Sequence, residues 1–160
     1  MKRLLITLFM LFTLSFTPSF ADIDQIKLSA EQGDADAQLE LGIVYYLGEG
    51  VRQDYAEAVK WFKLAAEQGK ALAQFQVGVA YDTGRGAPQD YIKAAKWYKL
   101  SAEQGNEWAH FFLGSAYYDG NGVRQDYAEA IKWYSLAAEQ GNSMAQYRLG
   151  AAYYLGSGIR

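Results

Sequence analysis

The chain has 160 residues, no cysteine, a single histidine and a formal charge of −3, so disulfides and cysteine-based metal sites are excluded. An acidic balance also argues against nucleic-acid binding through phosphates, which calls for the opposite sign. Half of the residues are hydrophobic, at 51%, with only two prolines, and much of that share is alanine, which suits closely packed helices more than a thick core.

The chain opens with Lys2 and Arg3, then the apolar run Leu4–Phe16, then Thr17, Pro18, Ser19, Phe20 and Ala21. A basic start, an apolar centre and small residues at Ser19 and Ala21 predict a secretory signal peptide over residues 1–21, cut after Ala21. The run is shorter than the roughly 20 apolar residues that a permanent span needs. The other reading is an uncleaved anchoring segment. No cysteine stands near the cut to carry a lipid. Without Lys2 and Arg3 the 15 basic residues become 13 against 18 acidic, a charge of −5. The expectation is export to a bacterial periplasm or the cell exterior, with no stable membrane span in the mature chain.

From Ala30 onward the sequence repeats. Gly33, Gly69, Gly105 and Gly141 are in phase, as are Gly42, Gly78, Gly114 and Gly150, and Trp61, Trp97 and Trp133. The period is 36 residues and never slips. A fixed period in this range marks an array of stacked units, each touching mainly its neighbours. The units run over residues 34–69, 70–105 and 106–141, with a partial one over 142–160. Residues 22–33 align with the end of a second helix and read as an N-terminal capping helix: Ile23, Ile26 and Leu28 match Val59, Phe62 and Leu64.

Each unit predicts two helices. Helix A of the first spans roughly Ala35 to Leu47, and helix B roughly Asp54 to Gln68. The turn between them holds Gly48 and Gly50, which accept positive φ. Asp54 with Glu57, and Asp126 with Glu129, have the spacing of a capping box; the second unit keeps Asp90 but has Lys93. Helix B ends in Glu-Gln-Gly, with the glycine suited to the left-handed position past a helix end. On helix A the near-constant residues Ala37, Leu41, Gly42 and Tyr45 share one arc, expected to be packed. Helix B offers Tyr55, Ala58, Trp61, Phe62 and Ala65 to the seam. Lys60, Lys63 and Glu67 fall outside it, a solvated face with i,i+4 pairing. A buried Trp97 changed to alanine would cost about 3–5 kcal/mol.

The stretch Leu41-Gly42-Ile43-Val44-Tyr45, the Gly48-x-Gly50 turn, Asp54, Ala58, Trp61 and the junction Ala65-Ala66-Glu67-Gln68-Gly69 resemble the Sel-one-like repeat (SLR) family, relatives of the tetratricopeptide repeats (TPR). The resemblance covers nearly all of the chain past the leader. It departs in the second unit, where Val77 replaces Leu and Ala87-Pro88 replaces Val-Arg, changes expected to alter a loop and not the fold. It implies an all-α, right-handed α-solenoid of antiparallel helix pairs. It also implies a scaffold that binds other proteins, often exported in bacteria and often tied to signalling or host contact. Some cysteine-rich members are associated with penicillin binding; this chain shares no cysteine with them.

Function is sought where the units differ. On helix A the variable positions are 36, 40, 43 and 47 of the first unit, within about 60° of one another and opposite the packed arc. Through the units the stripe carries Asp36 and Glu40, then Leu72 and Val79, then Trp108 and Phe112, then Met144 and Arg148. Tyr46, Tyr118 and Tyr154 border it, with Asp82 as the exception in phase. In a TPR-like stack this side lines a concave groove, and exposed aromatic and Met residues there suit a peptide or protein partner. The competing account has Trp108 and Phe112 filling a gap between helices.

Catalytic motifs are absent: there is no HExxH, GxSxG or Walker loop. His110 stands where the other units have Gln38, Gln74 and Gln146, and reads as a polar packing residue. Asp36 and Glu40, one turn apart, read as a solvated acidic patch. No enzyme activity and no cofactor are expected. At the far end, helix A of the last unit, Ser143–Leu155, has no partner helix of its own, so Leu149, Ala152 and Tyr153 would be partly bare. That edge is either tolerated, or paired with another subunit, or the mark of a shortened product.

Overall fold

The structure is a computed structural model and describes residues 20–155. The leader expected over residues 1–21 and the final turn at 156–160 lie almost wholly outside these residues. Among the described residues there are eight α-helices and no strand: α1 (Phe20–Glu31), α2 (Ala35–Leu47), α3 (Tyr55–Glu67), α4 (Ala71–Thr83), α5 (Tyr91–Ala102), α6 (Glu107–Asp119), α7 (Tyr127–Glu139) and α8 (Ser143–Leu155). Each packs on the helices before and after it in the chain. The result is an α-solenoid of helical hairpins: α2 with α3, α4 with α5, α6 with α7, with α1 below and α8 above.

What holds each hairpin is an aromatic ring of helix B seated on a glycine of helix A. Phe62, Tyr98 and Tyr134 are almost fully buried. A Cβ at Gly42 would stand 2.5 Å from the Phe62 ring, one at Gly78 2.6 Å from Tyr98, and one at Gly114 2.8 Å from Tyr134. No side chain fits in that space, so only glycine lets the ring in. The in-phase tryptophans play a smaller part than the sequence suggests. Trp61, Trp97 and Trp133 are half-buried and reach back to the core of the preceding unit. The loss for Trp97→Ala therefore falls toward or below the lower end of the range, about 3 kcal/mol.

The turns repeat as a unit. The cap residue Asp54 donates its N–H to Tyr45 O at 3.0 Å, and Asp90 and Asp126 do the same to Tyr81 O and Tyr117 O at 2.9 Å. The glutamine before each cap donates to the last turn of helix A: Gln53 to Tyr46 O, Gln89 to Asp82 O, Gln125 to Tyr118 O. These bonds satisfy carbonyls that a helix end leaves open. The second unit makes them despite Ala87-Pro88. The second half of the expected capping box is not formed. Asp54 and Asp126 accept from Glu57 N and Glu129 N, but the cap N–H is already engaged, and the glutamates bind Lys60 and Lys132 instead. Surface pairing is thus mainly i,i+3, and Lys63 lies over the Tyr81 ring in place of pairing with Glu67. In the following units the tip of the turn leans on its predecessor. Gly122 has φ of 73°, and a Cβ there would collide with the Tyr91 carbonyl.

At the far end the glycine seat of α8 is bare: nothing among the described residues lies within 4 Å of a Cβ placed at Gly150. Tyr153 is exposed, Tyr154 is 90% exposed and Leu149 is half-buried against α6 and α7, so the edge is partly bare as expected except at Ala152, which is buried. Gly78→Ala should therefore lower stability by about 1–3 kcal/mol through overpacking. Gly150→Ala, a helix-interior change into open space, should raise it by about 0.5–1 kcal/mol. Urea unfolding followed by circular dichroism reads both; equal effects at the two glycines would contradict the seat.

Candidate functional site

A row of buried polar groups links unit to unit. Gln38 Nε2 donates to Ala30 O at 3.1 Å, and Gln74 Nε2 to Ala66 O at 3.2 Å, each capping the end of the preceding helix. The next helix B sends a glutamine back: Gln68 Nε2 reaches Gln38 Oε1, and Gln104 Nε2 reaches Gln74 Oε1, both at 2.7 Å. His110 takes the same place in the third unit. It is 5% exposed, its Nε2 lies 2.9 Å from Ala102 O, and its ring stacks on Trp133. A carbonyl only accepts, so Nε2 carries the proton. Histidine offers no oxygen to Gln140, which bonds Gly105 O alone, and Nδ1 is left without a partner. His110 is thus a packing residue inside the stack. His110→Gln should restore the bond and raise stability by about 1 kcal/mol. A fall in the denaturation midpoint would count against that account.

The groove-side candidates are distributed unevenly. Asp36 is exposed and forms an ion pair with Lys70 of the next unit at 2.7 Å. Glu40 is exposed and Leu72 half-buried. Val79 packs against the core shared by its own unit and the next. Trp108 is half-buried. Phe112 sits in a ring cluster with Phe75, Tyr98 and Phe111 at centroid distances of 5.4–5.5 Å. Tyr118 meets Tyr127 edge-on at 5.1 Å.

Four of the candidates meet at one place. Asp82 on α4, Phe112 on α6, and Met144 and Arg148 on α8 line a depression of about 250 Å³. Tyr98 from α5 and Ser115 and Asp119 from α6 also form part of its wall. Burial raises the Asp82 carboxyl above the usual carboxylate value, and the nearby Tyr98 hydroxyl offsets part of that. Burial first, then the Asp82 charge, push the Tyr98 hydroxyl well above the ordinary tyrosine value. That hydroxyl lies beside the Asp82 carboxylate, and no group meets it at hydrogen-bond geometry. A smaller hollow of about 40 Å³ lies one unit earlier, lined by Tyr46, Phe62, Gln76, Val79 and Thr83 among others. These are the same positions shifted by 36 residues. Trp108 and Leu72 line neither.

Stacked helical hairpins with variable residues facing one side define a repeat scaffold of the α-solenoid class. The family model of the Sel1 repeat matches residues 35–70, 71–106, 109–142 and 143–160, and the chain belongs to that family. Sel1 repeat proteins generally mediate protein–protein interactions, and the fold is a non-enzymatic scaffold. The chain is 43% identical over 66 residues to the secretory immunoglobulin A-binding protein EsiB of Escherichia coli O6:H1, a match covering 39% of this chain and 14% of that protein. Among solved structures it is similar to a Sel1 repeat protein from Oxalobacter formigenes, with TM-score 0.76 and 37% identity over 81% of this chain and 53% of that one. It is also similar to a protective antigen of uropathogenic Escherichia coli with an SLR fold, with TM-score 0.70 and 38% identity over 86% and 37%. The Helicobacter pylori cysteine rich protein B shares the fold, with TM-score 0.62, 21% identity and coverage of 79% and 91%. The chain thus spans about a seventh of the curated relative and about half or less of the two more similar structures. Among the described residues no helix is long and apolar enough to cross a membrane, and no group of acidic or histidine side chains is placed to hold a metal.

Proposed function

We propose that this chain is an exported scaffold that binds a peptide or protein along the A-helix side of its stack, in the bacterial envelope or outside the cell, in signalling or host contact. One observation carries the reading. The positions that seat ring on glycine stay constant from unit to unit, while those around the two hollows change in size, charge and polarity. A fold needs the first set and is indifferent to the second, so the variable side is free to be shaped by a partner. A relative named for binding secretory immunoglobulin A supports a protein as the ligand class. The leader at residues 1–21 supports export. Its expected outcome is a mature chain whose N-terminal sequencing starts at Asp22.

Panning a random peptide library against the chain tests the groove. Trp108 and Met144 are half-buried on this side, whereas Phe112→Ala would disturb a ring cluster at a cost of about 2–4 kcal/mol. The double variant Trp108→Ala and Met144→Ala should keep its helical spectrum and lose about ten-fold in recovered peptide. Unchanged recovery from a folded variant would remove the groove reading.

A second reading, self-association through α8, rests on the open seat at Gly150 beside the exposed Tyr153 and Tyr154. Light scattering should then give a dimer for the wild type and a monomer for Tyr153→Glu. A monomer in both removes it.

A further inference from the structure

We propose that the depression between α4, α5, α6 and α8 is a receptor for one basic side chain, lysine or arginine, of the peptide that lies in the groove. The proposal rests on the groove reading and adds the chemistry of one contact. Two departures from the repeat coincide here, beside a tyrosine hydroxyl. Asp82 stands where the other units have Tyr46, Tyr118 and Tyr154. Asp119 stands where they have Leu47, Thr83 and Leu155. Tyr98, like Tyr134 in the third unit, carries a hydroxyl that Phe62 in the first unit lacks. The three come from three helices and line a single hollow. The hollow one unit earlier has Tyr46, Thr83 and Phe62 at these places and is about six times smaller, so the fold does not require the acids.

Two further features point to a guest. The Tyr98 residue is 2% exposed, its hydroxyl has no hydrogen-bond partner, and it faces the Asp82 side of the hollow. A buried unpartnered hydroxyl is costly, and a donor from outside removes that cost. Asp82 and Asp119 take no part in the ion pairs found among the described residues, whereas Asp36 and Asp90 do. The rings of Phe112 and Tyr98 and the side chain of Met144 give an apolar wall for the methylene stem of a lysine or arginine, leaving its charged end for the carboxylates. Among the described residues Arg148 is the one cation lining the hollow; it lies on α8 and is exposed. Its charge opposes a basic guest and favours an acidic one, so it separates the two by sign.

The test is a nuclear magnetic resonance titration of the isotope-labelled full chain with the N-acetyl, N-methylamide forms of lysine, norleucine and glutamate, which share a backbone. The lysine probe should shift the amides around Asp82, Ser115 and Asp119 and bind about five-fold more tightly than norleucine. The double variant Asp82→Asn and Asp119→Asn should abolish that preference and keep the dispersed spectrum of the folded chain, because it removes charge without removing shape. Arg148→Ala should leave lysine binding unchanged or tighter. Equal binding of lysine and norleucine at these amides overturns the basic pocket and leaves the groove standing. Tightest binding of glutamate, lost in Arg148→Ala, overturns it in favour of an acidic guest. Shifts confined to other A-helix positions overturn the pocket alone, and no shift on any A helix with any probe overturns both the pocket and the groove.

Discussion

The structure depends on a ring seated against a glycine. In each hairpin Phe62, Tyr98 or Tyr134 occupies the space that a side chain at Gly42, Gly78 or Gly114 would fill. This sets the separation of the two helices and excludes water from the seam. A buried aromatic contributes roughly 1.5–3 kcal/mol relative to exposure, and helices of 12 or 13 residues are marginal alone, so the seat is what makes them persist. The alanines at 58, 94 and 130 are buried beside it.

From that seat the remaining architecture follows by repetition. The half-buried tryptophans and the glutamine row tie each hairpin to the last, and the cap aspartates and their preceding glutamines close each turn on its own helix A. All these bonds are local or reach one unit back, which makes the array nearly one-dimensional in its energetics. A change on one unit's open side is therefore felt mainly there. That independence is why an acidic hollow can form between the second and third units while the smaller one before it has no acid in its wall. It is also why His110 is tolerated: losing one glutamine link weakens a single junction and leaves its neighbours intact.

The hollow is costly to keep. Asp82 is a carboxylate partly removed from water, and its raised proton affinity in the folded chain means the charged form opposes folding at neutral pH. Its neighbour in the wall is a tyrosine hydroxyl left without a partner. Neither serves packing, since Tyr46 and Phe62 fill the same places one unit earlier. Groups that cost stability without helping the core are commonly found where a ligand is held, because a ligand supplies the missing contacts.

The sequence by itself determined the period, the helix limits and the fold class. Glycines in phase at either end of each helix A left one arrangement for it, and the structure places the first at Ala35–Leu47 as expected. It also determined that His110 shares the role of Gln38, since a residue's phase fixes its neighbours in an array. Depth was not legible. Trp61 and Phe62 are adjacent and both recur as aromatics, and only the placement of Gly42 opposite Phe62 decides which is enclosed. Pairings across units were equally out of reach. Lys70 meets Asp36 from 34 residues away, and Phe112 is held by Phe75 from the unit before. Asp82 could be marked as an exception to its phase. That Tyr98 and Asp119 join it in one hollow was decided by the tertiary structure alone, because the three lie on three helices and share neither a turn nor a face.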